Sequence, residues 1–270
     1  MGEAEKKQDL NDEKIHGRTS KKNQGLSALE PPPPGQWQLL YWPAFNSEGK
    51  LCAGAGRGEY LRVLFEEAGV PYEEVNAHLS DYFWTKLELQ PEHFPVLAPP
   101  AIRKDNFALS QTPVCAKYLA TQFGLYPEDP LDAAKAEQTV YTVHEYIAEG
   151  VAAYHPVKAS MSYVDQKEEA KPYIEAFKRE RLPRYFGNLE RILKSNNGGS
   201  GFFIGDTASY VDFQVMVALQ CTANQWPDIW AAKSDIPLLK AFLERMEARP
   251  KMKAYLASSR RKPFAGDSLM

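Results

Sequence analysis

The sequence has few cysteines, no long apolar run and no large excess of charge. The three cysteines, Cys52, Cys115 and Cys221, are odd in number and far apart, which argues against a disulfide framework or a zinc site. No stretch approaches the roughly 18 apolar residues of a membrane span, and the N-terminus has no secretory signal. The net charge of −3 provides no basic surface for nucleic acid. The cytoplasm is therefore the expected compartment.

The first part of the chain differs in composition from the rest. Residues 1–35 are polar and charged, and they end in a run of prolines at Pro31–Pro34. Burying these few apolar side chains cannot offset the conformational entropy that the chain would lose on folding. Residues 1–35 are therefore predicted to be a disordered tail with a stiff proline spacer. The whole chain is 44% hydrophobic, and most of these residues lie after the tail, which suffices for a full core.

Residues 36–123 show the alternation of an α/β domain. The predicted order is β-α-β-α-β-β-α, with the first crossover parallel. The predicted strands are 37–42, 72–77, 95–102 (in two pieces) and 107–110, the helices are 57–68, 81–89 and 113–122, and 46–56 is a loop. After a linker at 124–130 the strand pattern disappears, and residues 131–270 are predicted to be all-helical. The predicted helices are 131–154, 166–194, 209–220, 235–249 and 251–258. The fold class is thus α/β followed by all-α.

Two short segments of the first domain indicate a binding site for a peptide-like ligand. In Phe94-Pro95-Val96-Leu97, a cis Phe94–Pro95 bond would turn the Phe94 backbone outward, where it could pair with an extended ligand. In Ser110-Gln111-Thr112, a hydroxyl at a helix start caps the helix, and the free N–H groups there attract a carboxylate. Each segment alone is also typical of an edge strand or a capped helix.

These features together resemble the cytosolic glutathione S-transferase family, of tyrosine type and sigma-like. The resemblance covers roughly residues 37–270 and includes Tyr41 at the end of the first strand. It also includes Arg57-Gly58-Glu59-Tyr60-Leu61-Arg62 at a helix start and Gly205-Asp206-Thr207-Ala208-Ser209-Tyr210-Val211-Asp212, where Ser209 and Asp212 form a capping box. The resemblance implies a thioredoxin-like glutathione-binding domain followed by an all-helical domain.

The resemblance also implies residue roles. Tyr41 would donate a hydrogen bond to the glutathione sulfur and favour the thiolate, with Arg57 supporting it. The same resemblance implies a set of glutathione contacts: Tyr82 or Trp84, Lys86, His93, Phe94, Pro95, Gln111, Thr112 and, across a dimer, Glu149. For an electrophile it implies a pocket among Trp42, Phe45, Tyr141, Glu145, Ala148, Ala152 and Phe264. Individual residues in these sets have structural readings as well, as core aromatics or solvated charges.

One segment departs from the family pattern. Asn46–Ala55 resembles an insertion of about ten residues between Tyr41 and Arg57. Cys52 lies in this segment but lacks the following proline of a cysteine-type enzyme, so an inert thiol is expected.

The resulting hypothesis is a glutathione transferase that conjugates the thiol to hydrophobic electrophiles. It implies glutathione as co-substrate with no other cofactor and no metal, and a homodimer that binds neither nucleic acid nor membrane. Two alternatives remain open. One is a glutathione-dependent isomerase or peroxidase, including a prostaglandin-isomerase-like activity. The other is a non-catalytic binding or structural protein on the same fold.

Overall fold

The computed structural model describes residues 33–41, 44–45, 51–52, 55–75, 96–159 and 161–264, with the backbone alone for 44–45 and 51–52. The strands are β1 (Trp37–Leu40), β2 (Ala44–Phe45), β3 (Leu51–Cys52), β4 (Tyr72–Val75), β5 (Ala101–Lys104) and β6 (Phe107–Ser110). Four of them form a sheet in the order β4-β1-β5-β6. β1 pairs in parallel with β4 and antiparallel with β5, which pairs antiparallel with β6. The predicted parallel pairing of the first two sheet strands is confirmed.

The predicted loop at 46–56 contains part of a small second sheet. β2 and β3 pair antiparallel, with Ala44 opposite Cys52 and Phe45 opposite Leu51. The Gly- and Ala-rich composition suggested irregular backbone, but β-hairpin pairing needs only two short extended pieces that can fold back on each other. The prediction of loop structure throughout 46–56 is therefore wrong.

Helix α1 (Glu59–Ala68) packs its apolar face on the sheet. Leu61, Leu64 and Phe65 are fully buried, and Phe65 stacks on Tyr72 of β4 with ring centroids 4.7 Å apart. The helix ends at Gly69, whose φ of +73° lies in the left-handed region where glycine is favoured. The predicted glycine stop is confirmed.

From residue 111 onward the described chain is helical. The helices are α2 (Thr112–Phe123), α3 (Pro130–Tyr154), α4 (Lys167–Ala176), α5 (Leu182–Ser195), α6 (Tyr210–Gln225), α7 (Pro227–Ala232), α8 (Pro237–Glu247) and α9 (Pro250–Leu256). A π-helical turn, Phe177–Arg181, joins α4 to α5, so the predicted helix over 166–194 is one run with a wide turn inside it. Helix α7 was not predicted. No described helix is long and apolar enough to cross a membrane.

Residues 33–270 form one compact unit, which contains both the four-stranded sheet with its helices and the all-helical part of the chain. The predicted domain limits stay predictions, although the linker at 124–130 agrees with the end of α2 and the start of α3. Pro33–Gly35, predicted as part of the tail, form a turn in which the Gly35 N–H donates to Asp105 at 2.8 Å.

The predicted capping box at the start of α6 is present. Asp212 is fully buried, and its carboxylate accepts hydrogen bonds from the backbone N–H groups of Ser209 and Phe203, both at 2.8 Å. It thereby ties the incoming loop to the most buried helix of the second half.

A buried polar cluster joins α1, α3 and α6. The Gln214 amide donates to the Tyr60 carbonyl at 2.7 Å, and its oxygen lies 3.1 Å from His144 Nε2. The His144 ring lies against the Tyr60 ring at 5.1 Å, while its Nδ1 has no hydrogen-bond partner among the described residues. Burial lowers the pKa of His144 to about 4, so the ring is neutral at pH 7.

This histidine predicts acid sensitivity of the fold. The folded pKa is depressed below the unfolded value of 6.5, so the unfolded chain binds more protons between pH 6.5 and 4. The contribution of neutral His144 to the stability of the fold is therefore fully present above pH 6.5, and it is lost as the pH falls towards 4. Between pH 7 and pH 5, the free energy of unfolding of the wild type should fall by about 2 kcal/mol more than that of His144→Gln, as measured by urea denaturation. Parallel pH curves for the two proteins would contradict this assignment.

Candidate functional site

One edge of the four-stranded sheet brings together Tyr41 and Gln111, which were predicted separately from the sequence, with Pro100 between them. A single row of paired residues runs across this edge: Val75, Leu40, Ala101 and Ser110. Tyr41, Pro100 and Gln111 are the next residues outward on β1, β5 and β6. Adjacent strands are about 4.8 Å apart, so the backbones of Tyr41 and Gln111 lie roughly 10 Å from each other. An extended tripeptide covers about the same length.

Tyr41 continues β1 by one residue, and its ring turns into the protein. Its N–H donates to the Val75 carbonyl at 3.3 Å, which extends the pairing with β4. The ring is only 8% exposed, and the hydroxyl oxygen accepts a hydrogen bond from the Arg57 backbone N–H at 2.7 Å. Among the described residues, none accepts the hydroxyl proton of Tyr41. The hydrogen bond from Arg57 fixes the Tyr41 hydroxyl oxygen and leaves the hydroxyl proton free to be donated to another acceptor.

The loop over the Tyr41 ring requires glycine at two positions. Gly56 has a φ of +46°, and a Cβ built on it would lie 2.2 Å from the Tyr41 hydroxyl oxygen. A Cβ on Gly58 would lie 2.9 Å from the ring carbon Cγ. The backbone therefore approaches the ring at a distance that a side chain would prevent. The signal for this close approach in the sequence is the glycine spacing of Gly54-Ala55-Gly56-Arg57-Gly58, which the predictions missed.

The electrostatics around Tyr41 favour a proton donor. Burial raises the pKa of Tyr41 above its ordinary value, while the Arg57 N–H and the positive charges of Arg62 and Arg57 act to lower it. The net shift is upward, so the phenol keeps its proton at neutral pH. Tyr41 can thus donate a hydrogen bond to an anion but cannot act as a base.

A buried ion network supports this loop from the side of α1. Arg62 is 1% exposed, and its guanidinium bonds the Glu59 carboxylate at 3.1 Å and both oxygens of Glu74 at 3.1 and 2.5 Å. It also donates to the Ala55 carbonyl at 2.7 Å, and its Cζ lies 5.7 Å from the Tyr41 ring centroid. Glu59 and Arg62 belong to the predicted helix-start motif, but no role was predicted for either. Two charges at i and i+3 on an otherwise apolar helix face were the available signal.

Gln111 and Thr112 begin α2 at the far side of the row. Gln111 has a φ of +74°, which is uncommon for a residue other than glycine, and it is exposed. Thr112 is 3% exposed and is the first residue of the helix rather than its cap. Because the N-cap position belongs to Gln111, the expectation that Thr112 caps this helix is wrong.

Several predicted site residues lie outside the described part of the chain. These are Trp42, Tyr82, Trp84, Lys86, His93, Phe94 and Pro95, together with the side chains of Phe45 and Cys52. The prediction of a cis Phe94–Pro95 bond therefore stays a prediction. A cis bond is present at Pro99–Pro100, directly before β5. This segment lies at the edge between Tyr41 and Gln111.

Two predicted site residues on α3, Glu149 and Tyr141, contact residues of their own chain or solvent. Glu149 accepts two hydrogen bonds from the Arg181 guanidinium, both at 2.6 Å, and one from the Tyr185 hydroxyl at 3.0 Å. The bonds from Arg181 are the main reason that the pKa of Glu149 lies below its ordinary value. Tyr141 is 54% exposed.

Two surface pockets lie beside α3. Glu145 lines one of about 330 Å³, and Ala152 lines another of about 430 Å³. Tyr41 lines neither pocket. Ala148 is exposed on the same helix, and Phe264 is half-buried against the core. The described contacts do not bring the predicted electrophile pocket together with Tyr41.

The thiols of Cys115 and Cys221 are not suited to nucleophilic chemistry. Both are free and buried, and burial raises the pKa of each to about 12. Neither is a thiolate at neutral pH. Among the described residues, no group of three or more His, Cys, Asp or Glu side chains could hold a metal ion.

Comparison with known proteins finds glutathione S-transferases and S-crystallins among the proteins that this chain resembles. Residues 153–259 match the family described as "Glutathione S-transferase, C-terminal domain". The chain is 28% identical over 211 residues to S-crystallin 4 of Enteroctopus dofleini, which covers 77% of this chain and 94% of that protein. It is also 28% identical over 214 residues to glutathione S-transferase P 1 of Bufo bufo, covering 78% and 93%. The chain is thus similar in sequence to glutathione S-transferases and to S-crystallins over about three quarters of its length, as the predicted resemblance implies. The S-crystallins among its relatives support the sigma-like assignment.

Solved structures of glutathione S-transferases have the same fold as this chain. A monomeric glutathione S-transferase from the hookworm Necator americanus, Na-GST-3, matches with a TM-score of 0.65 at 19% identity, over 85% of this chain and 100% of that chain. A second structure, NaGST-2, matches with a TM-score of 0.64 at 24% identity, over 85% and 99%. The predicted fold class, a thioredoxin-like domain followed by an all-helical domain, is confirmed.

Proposed function

We propose that this protein is a glutathione transferase in which Tyr41 stabilises the glutathione thiolate. The observation that carries the proposal is the 2.7 Å hydrogen bond from the Arg57 N–H to the Tyr41 hydroxyl oxygen at the binding edge of the sheet. The bond holds the oxygen in place and makes the hydroxyl a stronger donor. Arg57 thereby contributes through its backbone.

The chemistry follows from thiol acidity. A free thiol has a pKa of about 8.5, so only a few per cent is ionised at pH 7. Lowering that pKa by about two units requires about 2.7 kcal/mol, which a charge-assisted hydrogen bond in a water-poor site can supply. The thiol proton leaves to solvent, and the sulfur then attacks an electrophilic carbon by substitution, with loss of a leaving group, or by conjugate addition.

The remaining glutathione contacts follow from the row across the sheet. The exposed Gln111 and the backbone N–H groups at the start of α2, about 10 Å from Tyr41, would bind the γ-glutamyl carboxylate. Pro99 and Pro100 carry no N–H, so the segment between these sites can offer a bound peptide only carbonyl acceptors. Small hydrophobic electrophiles are the proposed second substrates.

Retention on a glutathione matrix followed by a conjugation assay with an aromatic halide tests the proposal. We expect retention, elution by free glutathione, and halide release that depends on both glutathione and protein. Retention without conjugation would favour a non-catalytic role, for which the S-crystallins among the relatives are the supporting observation. If conjugation is absent while the protein turns over isomerase or peroxidase substrates, the glutathione-dependent isomerase or peroxidase is favoured. Failure to bind glutathione would contradict the proposal.

Thr112→Ala should weaken glutathione binding. The Thr112 hydroxyl has no partner among the described residues and lies beside the proposed carboxylate site, so its removal should cost about 1 kcal/mol or more of binding free energy. The melting temperature should change little, because Thr112 is not the helix cap. The control is Thr121→Ala in the same helix, whose hydroxyl donates to the Lys117 carbonyl at 3.0 Å on the exposed face. Equal glutathione affinity in both variants would remove Thr112 from the site.

We further propose a cytosolic homodimer, on the basis of the family alone. Light scattering coupled to size-exclusion chromatography tests the assembly. A mass near 61 kDa, twice the chain mass of 30.4 kDa, would support the dimer. A single chain in solution, as in the hookworm protein named above, would contradict it.

A further inference from the structure

The C-terminal strap, residues 257–264 after α9, contacts the loop that covers Tyr41. The Pro263 carbonyl accepts a hydrogen bond from the Ala55 N–H at 2.9 Å. The carbonyl of the same residue, Ala55, accepts from Arg62 at 2.7 Å. Ala55 is thus held at both polar groups, by the strap and by α1. Two residues further along the chain, the Arg57 N–H donates to the Tyr41 hydroxyl.

The strap reaches the buried ion network through Arg261. Its guanidinium lies 2.7 Å from the Glu59 carboxylate, which is fully buried. That carboxylate also accepts from Arg62 at 3.1 Å and from the Tyr255 hydroxyl at 2.9 and 3.1 Å. The buried Glu59 carboxylate is therefore shared between Arg261 of the strap and Arg62, which donates to the Ala55 carbonyl. Removing one donor leaves a buried charge less well compensated, and its remaining partners must move to compensate it.

We propose that Arg261 is a positioning residue for the Tyr41 hydroxyl, an inference that rests on the proposed function. By pairing with Glu59 it fixes the strap and the Arg62 guanidinium, and together they fix the Ala55 peptide and the N–H of Arg57. Arg261 does not contact Tyr41. Among the described residues, the charged groups that act on Tyr41 are Arg62 and Arg57, and the effect of Arg261 passes through Glu59 and the loop backbone.

The test compares Arg261→Gln with a neighbouring control, Arg260→Gln. Arg260 belongs to the same strap and also binds α1, through two 2.8 Å bonds to Glu66, but it touches neither Glu59 nor Ala55. For both variants, the wild type and Tyr41→Phe, the thiol pKa of bound glutathione is measured by ultraviolet thiolate absorbance. Their pH–rate profiles are measured with an aromatic halide.

We expect Arg261→Gln to raise the bound thiol pKa by about half to one unit, which lowers the rate at pH 6.5 about three- to tenfold. The rate should recover at high pH, and Arg261→Lys should restore most of it at pH 6.5. The glutathione dissociation constant should stay within about twofold. Arg260→Gln should match the wild type. A purely structural role would lower the rate equally at all pH values.

A bound thiol pKa equal to the wild-type value in folded Arg261→Gln would overturn the positioning role, provided that Tyr41→Phe shifts it. If Tyr41→Phe shifts nothing, the proposed role of Tyr41 itself fails, and the role of Arg261 is excluded with it. If Arg261→Gln does not fold, Tyr255→Phe decides, because it removes one Glu59 donor and keeps the buried ring. A smaller shift in the same direction supports the proposal, and an unshifted pKa overturns it.

Discussion

Replacing Tyr41 by phenylalanine should lower the conjugation rate at neutral pH about ten- to hundredfold. The change removes the hydroxyl that would donate to the sulfur and keeps the buried ring, so the apolar area buried on folding is almost unchanged. The thiol pKa of bound glutathione should rise towards its free value by about one to two units. The loss should therefore shrink as the pH is raised.

The pH–rate profile distinguishes this effect from general damage to the site. Glutathione should still bind Tyr41→Phe, because in the proposed complex the ligand is held mainly by the Gln111 side of the row. A useful control is Tyr118→Phe, a half-buried tyrosine of α2 that stacks on Phe107 at 4.7 Å. It should leave the profile unchanged. Coincident profiles for wild type and Tyr41→Phe would show that another group activates the thiol, and Cys52 and Ser47 would then be the candidates.

Replacing Arg62 by methionine should lower the free energy of unfolding by about 3–5 kcal/mol. Arg62 is buried and bonds Glu59, Glu74 and the Ala55 carbonyl at once, so its loss leaves both carboxylates without the cation that they share. Burial and the bond to Glu74 act in opposite directions on the Arg62 pKa, and the net shift is upward, so the charge persists at all accessible pH values.

Denaturant unfolding of Arg62→Met and Arg179→Met provides the comparison. Arg179 pairs with Glu180 on the surface with 69% of its side chain exposed, so its loss should cost no more than about 1 kcal/mol. Any folded Arg62→Met should also show reduced conjugation, because the Ala55 peptide has lost its donor. A stability loss as small as that of Arg179→Met would contradict the importance assigned to this network.

Local patterns were sufficient to predict much of the fold. The stop of α1 at Gly69 follows from the conformational freedom of glycine, and the Ser209–Asp212 box follows from unpaired N–H groups at a helix start. The parallel pairing of β1 and β4 follows from the helix between them. Each depends on neighbours in sequence, which is why sequence alone could indicate it.

Contacts between distant residues could not be predicted in this way. Glu59 and Arg261 are far apart in the sequence, and only the packing of the C-terminal segment on α1 makes them partners. Glu149 was predicted to reach glutathione across a dimer, which stays a prediction, and within its own chain it binds Arg181 and Tyr185. Neither Arg261 as a partner of Glu59 nor Arg181 as a partner of Glu149 could be inferred from the sequence, because both arginines lie on other elements. The start of α2 at Thr112 also depends on the positive φ of Gln111, which no local sequence rule indicates.

The thiol pKa of glutathione bound to the wild-type protein is the most direct test of the central claim, that Tyr41 holds the sulfur as a thiolate. Ultraviolet absorbance of the thiolate is titrated in the complex, with Tyr41→Phe and free glutathione measured alongside. We predict a wild-type value about one to two units below that of free glutathione, and a Tyr41→Phe value close to the free one. A wild-type value equal to that of free glutathione would contradict the claim.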